Sequence, residues 1–89
     1  MDGGKTMILH LGMDRNVPFS QIILLVDLSR EKTKDTQTVI QAHKAAGRLQ
    51  SLGEPVKSLV LVQMNKEQWC YLSPISVRTL FRRVHANLG

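Results

Sequence analysis

The fold turns on Lys57-Ser58-Leu59-Val60-Leu61-Val62-Gln63, followed by Asn65-Lys66-Glu67 and then Gln68-Trp69-Cys70-Tyr71-Leu72. Apolar, β-branched and aromatic residues stand on both sides of a short polar turn. That pattern predicts an antiparallel hairpin of two strands, Lys57 to Gln63 and Gln68 to Leu72. Leu59 to Val62 is continuously apolar, so both faces of its strand need cover. Ile22-Ile23-Leu24-Leu25-Val26 is a second such run and predicts a strand over Gln21 to Asp27. In a chain of 89 residues one helix covers one face. The other face needs further elements or a second subunit, which is a first reason to expect self-association.

Outward from these strands, Met7 to Leu11 reads as a short strand and Gly12 to Asn16 as a turn. Val17 and Pro18 lead into the second strand. Ser29 to Asp35 is polar, a loop or the start of a helix. Asp35 or Thr36 is a suitable cap for a helix reaching Ala46, with Val39, Ile40, His43 and Ala46 on one face and Gly47 as C-cap. Lys34, Gln37, Gln41, Lys44 and Arg48 make the opposite, polar face. Gly53-Glu54-Pro55 interrupts, Ser73-Pro74 ends the hairpin, and Ser76 caps a last helix. There Val77, Leu80, Phe81, Val84 and Leu88 form an apolar stripe, with Arg78, Arg82 and His85 outward and Arg83 at the margin. The expected order is ββαββα: a small single α+β domain over residues 7–89, with a mainly antiparallel sheet and two helices. Residues 1–6 read as a flexible N-terminal extension.

The formal charge of +5 is unevenly placed. Residues 1–45 contribute +1 and residues 46–89 contribute +4, and no acid follows Arg78. A basic patch attracts phosphates, acidic proteins or anionic lipid; the plainer reading is a solvated surface. No apolar run approaches the roughly 20 residues a bilayer span requires, and no apolar segment opens the chain as a secretory signal does. A single cysteine, Cys70, makes no internal disulfide, which favours a reducing compartment and a cytoplasmic location.

Chemistry is sparsely represented. Gly4-Lys5-Thr6 resembles the tail of a phosphate loop, but the glycine five positions earlier and the preceding strand are missing. His10, His43 and His85 have no metal spacing with one another or with Cys70. His43 reads as a packed core or interface histidine. The carboxylates sit in turns or at element ends, where capping explains them. Cys70 reads as a buried, inert thiol rather than a redox sensor. Trp69 and Tyr71 share one face and read as packing residues in preference to a base-stacking platform. The expectation is therefore no enzyme, cofactor, metal or small-molecule substrate.

Several segments together resemble a known family. They are Ile8-Leu9-His10-Leu11-Gly12; Val17-Pro18 before a strand ending in Asp27; Pro55-x-Lys57-Ser58-x-Val60-Leu61; Tyr71-Leu72-Ser73-Pro74-Ile75-Ser76-x-x-Thr79-Leu80; and Arg82-Arg83. The chain resembles the bacterial extracellular-matrix regulatory family, RemA and RemB, most closely the RemB branch, from Met7 to Arg83. The resemblance implies a cytoplasmic regulator of biofilm-matrix gene expression. It also implies a LytTR-like fold and a ring-shaped homo-oligomer binding double-stranded DNA around its rim. Aligned on Gly12, the family's DNA-contacting arginine of the second strand falls on Gln21. Its arginines before the third strand fall near Glu54 and Pro55, and its basic position at Lys57 is kept. The expected DNA-binding residues are Arg15, Gln21, Lys57, Arg78, Arg82 and Arg83, acting on phosphates rather than base edges. The alternative is an oligomeric interaction or scaffold protein of the same kind that leaves DNA to a partner.

Overall fold

The structure is a computed structural model that describes residues 7–28 and 33–88, the last five in backbone only. The elements are β1 (Ile8–Gly12), β2 (Arg15–Pro18), a 3-10 turn at Phe19–Gln21, β3 (Ile22–Asp27), α1 (Lys34–Ala45), β4 (Leu49–Ser51), β5 (Ser58–Met64), β6 (Glu67–Ser73) and α2 (Val77–Leu88). The deciding hairpin is present: β5 and β6 pair antiparallel from Ser58–Ser73 to Met64–Glu67. β3 pairs antiparallel with the other edge of β5, and β4 lies parallel to β6, giving a sheet in the order β3-β5-β6-β4. β1 and β2 form a separate hairpin. This is the expected α+β class, mainly antiparallel, with two helices.

Alternation along β5 and β6 sorts the core into two layers. Val60, Val62 and Tyr71 point to one face, beneath Leu9, Leu11 and Val17 of the β1–β2 hairpin and Leu80 of α2. Leu59, Leu61 and Cys70 point to the other, against Val39 and Ile40 of α1. Two buried serines fix the segment between β6 and α2. Ser58 Oγ donates to the Ile75 carbonyl at 2.7 Å. Ser73 Oγ donates to the Leu11 carbonyl at 2.5 Å and accepts from the Ile75 N–H at 3.0 Å. Gly12 is required at this junction. Its φ is +132°, and a Cβ there would stand 3.2 Å from Pro74 Cδ.

Four sequence expectations are corrected. The turn proposed over Gly12 to Asn16 is confined to Met13 and Asp14, and Arg15–Pro18 pairs back on β1. Leu49–Ser51, to which the expected ββαββα order gives no element, is a strand, because three residues carry too little periodicity to be seen. Thr33 caps α1 in place of Asp35 or Thr36: Thr36 N–H donates to Thr33 Oγ1 at 3.1 Å. Arg48, assigned to the polar helix face, follows Gly47, whose φ of +75° ends the helix region, and leads into β4. The cap at Ser76 is as expected, accepting from Thr79 N–H at 3.2 Å.

Two apolar expectations also change. β3 is an edge strand, and Ile23 and Leu24 remain 50% and 45% exposed, so its two faces are not both covered within the protomer. A bulge between Ile22 and Leu24 shifts the register and displaces Ile23 from the ladder. In α2, Leu80 is fully buried but Phe81 is 55% exposed. Consecutive helical residues differ by about 100° in direction, so Leu80 takes the core and Phe81 falls on the flank. Ala46 is likewise exposed. The proposed extension at residues 1–6, the segment 29–32, and the side chains of Val84, His85 and Leu88 lie outside the described residues.

Candidate nucleic-acid interface

α2 supplies the densest positive charge. It begins at the Ser76 cap and reads Val-Arg-Thr-Leu-Phe-Arg-Arg-Val-His-Ala-Asn-Leu, without an acid. Arg78, Arg82 and Arg83 are exposed. Among the described residues no ion pair engages them, whereas Arg48 Nη1 pairs with Glu67 Oε2 at 3.9 Å. Arg83 Nη1 also donates to the His10 carbonyl at 3.2 Å, which ties α2 to β1. Next to it, His10 Nδ1 and Asn16 Oδ1 lie 2.8 Å apart across the β1–β2 register.

Arg15 is held differently. Its guanidinium lies 5.4 Å from the centroid of the Tyr71 ring and donates to Gln50 Oε1 at 3.3 Å. Tyr71 stacks on Trp69 with centroids 6.1 Å apart, and Trp69 Nε1 donates to Glu67 Oε1 at 3.4 Å. Arg15, Tyr71, Trp69, Glu67 and Arg48 thus form one continuous chain of contacts. Tyr71 is 1% exposed, so its ring is a floor for Arg15 and not a platform for a base. The alternation of Glu67, Trp69 and Tyr71 signals half of this ledge. The other half, Arg48 and Gln50, rests on the unread strand β4.

Gln21 and Lys57 do not meet. Gln21 precedes Ile22, which pairs with Val62, whereas Lys57 adjoins Ser58, which pairs with Asp27. The two therefore stand at opposite ends of β5, roughly 20 Å apart at about 3.3 Å per residue. Lys57 is exposed and shares its end of the sheet with the start of α2, through the Ser58–Ile75 bond and the Lys57 N–H to Ser73 carbonyl bond of 2.8 Å. Glu54, where the family resemblance places an arginine, is exposed. Within one protomer the six expected residues fall into an α2 group with Lys57 at its start, an Arg15 ledge, and a separate Gln21.

The remaining candidate groups are accounted for by packing. His43 Nδ1 lies 2.8 Å from the Val39 carbonyl and Nε2 lies 3.2 Å from Gln68 Oε1, as a packed histidine does. Cys70 is buried, and that burial pushes its thiol up to about 11. A thiol so protonated and enclosed is a poor nucleophile. Among the described residues no three His, Cys, Asp or Glu side chains gather as a metal set. No described helix is long and apolar enough to cross a membrane. No family model matches the chain, and no curated protein sequence matches it.

Proposed function

We propose that this protein is a cytoplasmic, oligomeric DNA-binding regulator of extracellular-matrix genes, without enzymatic activity, which grips duplex DNA through phosphates. The observation that carries the reading is the acid-free α2 with exposed Arg78, Arg82 and Arg83. The likeness of Met7 to Arg83 to the matrix-regulator family supports it, as does the net charge of +5. Each arginine or lysine that neutralises a phosphate releases condensed counterions. One protomer with three or four such groups binds weakly. Several copies on one assembly multiply the contacts, so assembly is a precondition of function.

Fluorescence anisotropy with labelled duplex DNA at two salt concentrations tests this. Three phosphate contacts alone give a slope of log affinity on log salt of about −2.7, and an assembly gives a steeper one. Arg82→Glu with Arg83→Glu weakens binding and leaves assembly intact. Absent binding at low salt, or affinity indifferent to salt, overturns the proposal.

A second reading has its own support. Gln21 lies far from Lys57, and Glu54 stands exposed where phosphate would be repelled. These favour an oligomeric scaffold that leaves DNA to a partner. Pull-down of an acidic partner after nuclease treatment, with no DNA shift by the purified protein, selects this reading over the first.

A further inference from the structure

The turn end of the β1–β2 hairpin meets β4 through the Arg15–Gln50 bond, and beside that bond lies a pocket of about 180 Å³ lined by Met13, Asp14, Arg15, Gln50 and Leu52. An apolar protein cavity of about 150 Å³ accommodates benzene, so this one takes a ligand of about seven or eight non-hydrogen atoms. Its lining is sorted by chemistry. Arg15 is a cation already set in place: its guanidinium lies 5.4 Å from the Tyr71 ring centroid and donates one N–H to Gln50 Oε1. A guanidinium stacked and bonded in this way has less freedom to lose when its remaining donors meet a carboxylate. Because Gln50 accepts through Oε1, its amide nitrogen is left to donate to the same anion. Asp14 is the neighbour of Arg15 in the chain, yet among the described residues no ion pair joins the two, and Asp14 is exposed. Leu52, 2% exposed, is an apolar floor, and Met13, 67% exposed, is an apolar flank left to solvent.

We propose that this pocket binds a free α-amino acid with a small apolar side chain. The ligand carboxylate sits on Arg15 and the Gln50 amide, its ammonium on Asp14, and its side chain between Met13 and Leu52. A bare anion such as phosphate gains Arg15 and is repelled by Asp14. A bare amine gains Asp14 and is repelled by Arg15. A zwitterion satisfies both, and its apolar end covers Met13. Arg15 is thereby assigned to a small molecule in place of a DNA phosphate, and the inference does not rest on the DNA reading.

Titration of the isotope-labelled full chain with L-valine, read by backbone amide NMR shifts, tests this. Saturable shifts are expected at Met13 to Arg15 and at Gln50 to Leu52. Two fragments of the same ligand separate its charges. Isovalerate lacks the ammonium and isobutylamine lacks the carboxylate; each is expected to bind roughly 10-fold or more weakly, the effect of losing one charge-assisted bond. Asp14→Asn, in an exposed turn and so compatible with the fold, is expected to lose valine roughly 10-fold and to bind isovalerate no more weakly than wild type does. Arg15→Gln is expected to lose both ligands; where its unliganded spectrum shows the packing on Tyr71 disturbed, the Asp14→Asn comparison decides alone. No saturable shift with valine at tens-of-millimolar concentration, or shifts confined to other parts of the chain, overturns the proposal. So does isovalerate or inorganic phosphate binding as tightly as valine, which would mark a bare anion site, and so does Asp14→Asn binding valine as wild type does.

Discussion

β3 and β5 have nearly the same apolar composition and different fates. Leu59-Val60-Leu61-Val62 lies at the centre of the sheet, with β3 and β6 on its edges and a layer on each face, and all four residues are buried. Ile22-Ile23-Leu24-Leu25-Val26 lies at the edge, and Ile23 and Leu24 stay about half exposed. Composition states the cover a strand needs; position in the sheet states the cover it receives. A long apolar edge without such cover is an invitation to pairing with another chain.

Truncation tests that contrast most severely. Leu59→Ala removes a fully buried side chain between β5 and α1 and is expected to lower stability by about 2–5 kcal/mol in chemical denaturation. Leu24→Ala in the isolated protomer is expected to cost less than about 1 kcal/mol. Equal losses would mean that β3 is as well covered as β5.

Ser73→Ala comes next in size. It leaves the buried Leu11 carbonyl and the Ile75 N–H without their partner, at an expected cost of about 1–3 kcal/mol. A neutral result would detach the β6–α2 segment from the hairpin it is bonded to. Thr33→Ala, at the α1 cap, is expected to cost about 1 kcal/mol.

A last effect shows only at high pH and concerns Cys70 on β6. Its folded thiol is raised to about 11 from an ordinary value of 9.0, so the folded state holds the proton longer than the unfolded chain does. The contribution is complete below pH 9 and is lost as pH climbs towards 11. Relative to Cys70→Ala, the wild-type denaturation midpoint should therefore drift downward across that window. A maleimide should leave the native thiol unlabelled at neutral pH. Rapid labelling would place Cys70 outside the core and revive a redox role.

Legibility in the sequence followed the length of each signal. The β5–β6 hairpin was clear because seven-residue strands with a polar turn leave a period to count. The cap at Ser76 was clear because a serine hydroxyl accepts from a backbone N–H of the first turn; Gly47 marked the end of the helix region through its positive φ, but the C-cap itself is Ala46, one residue earlier than expected. β2 and β4, four and three residues long, were not, and with β4 went Gln50 and Arg48, half of the ledge around Arg15. Phe81 was misplaced because a helical stripe fixes which residues point roughly together, and only the neighbours of α2 decide where the covered face stops. The exposed arginines of α2 were legible as a group. The separation of Gln21 from Lys57 was not, since it depends on the pairing of β3 with β5.

The central claim is that many weakly cationic copies act as one DNA-binding body. Native mass spectrometry of the protein with and without a short duplex tests it most directly. The account predicts a discrete multiple of the 10.0 kDa chain that gains the mass of bound duplex and keeps its own subunit number. A lone 10.0 kDa species that carries no duplex at low salt would contradict it.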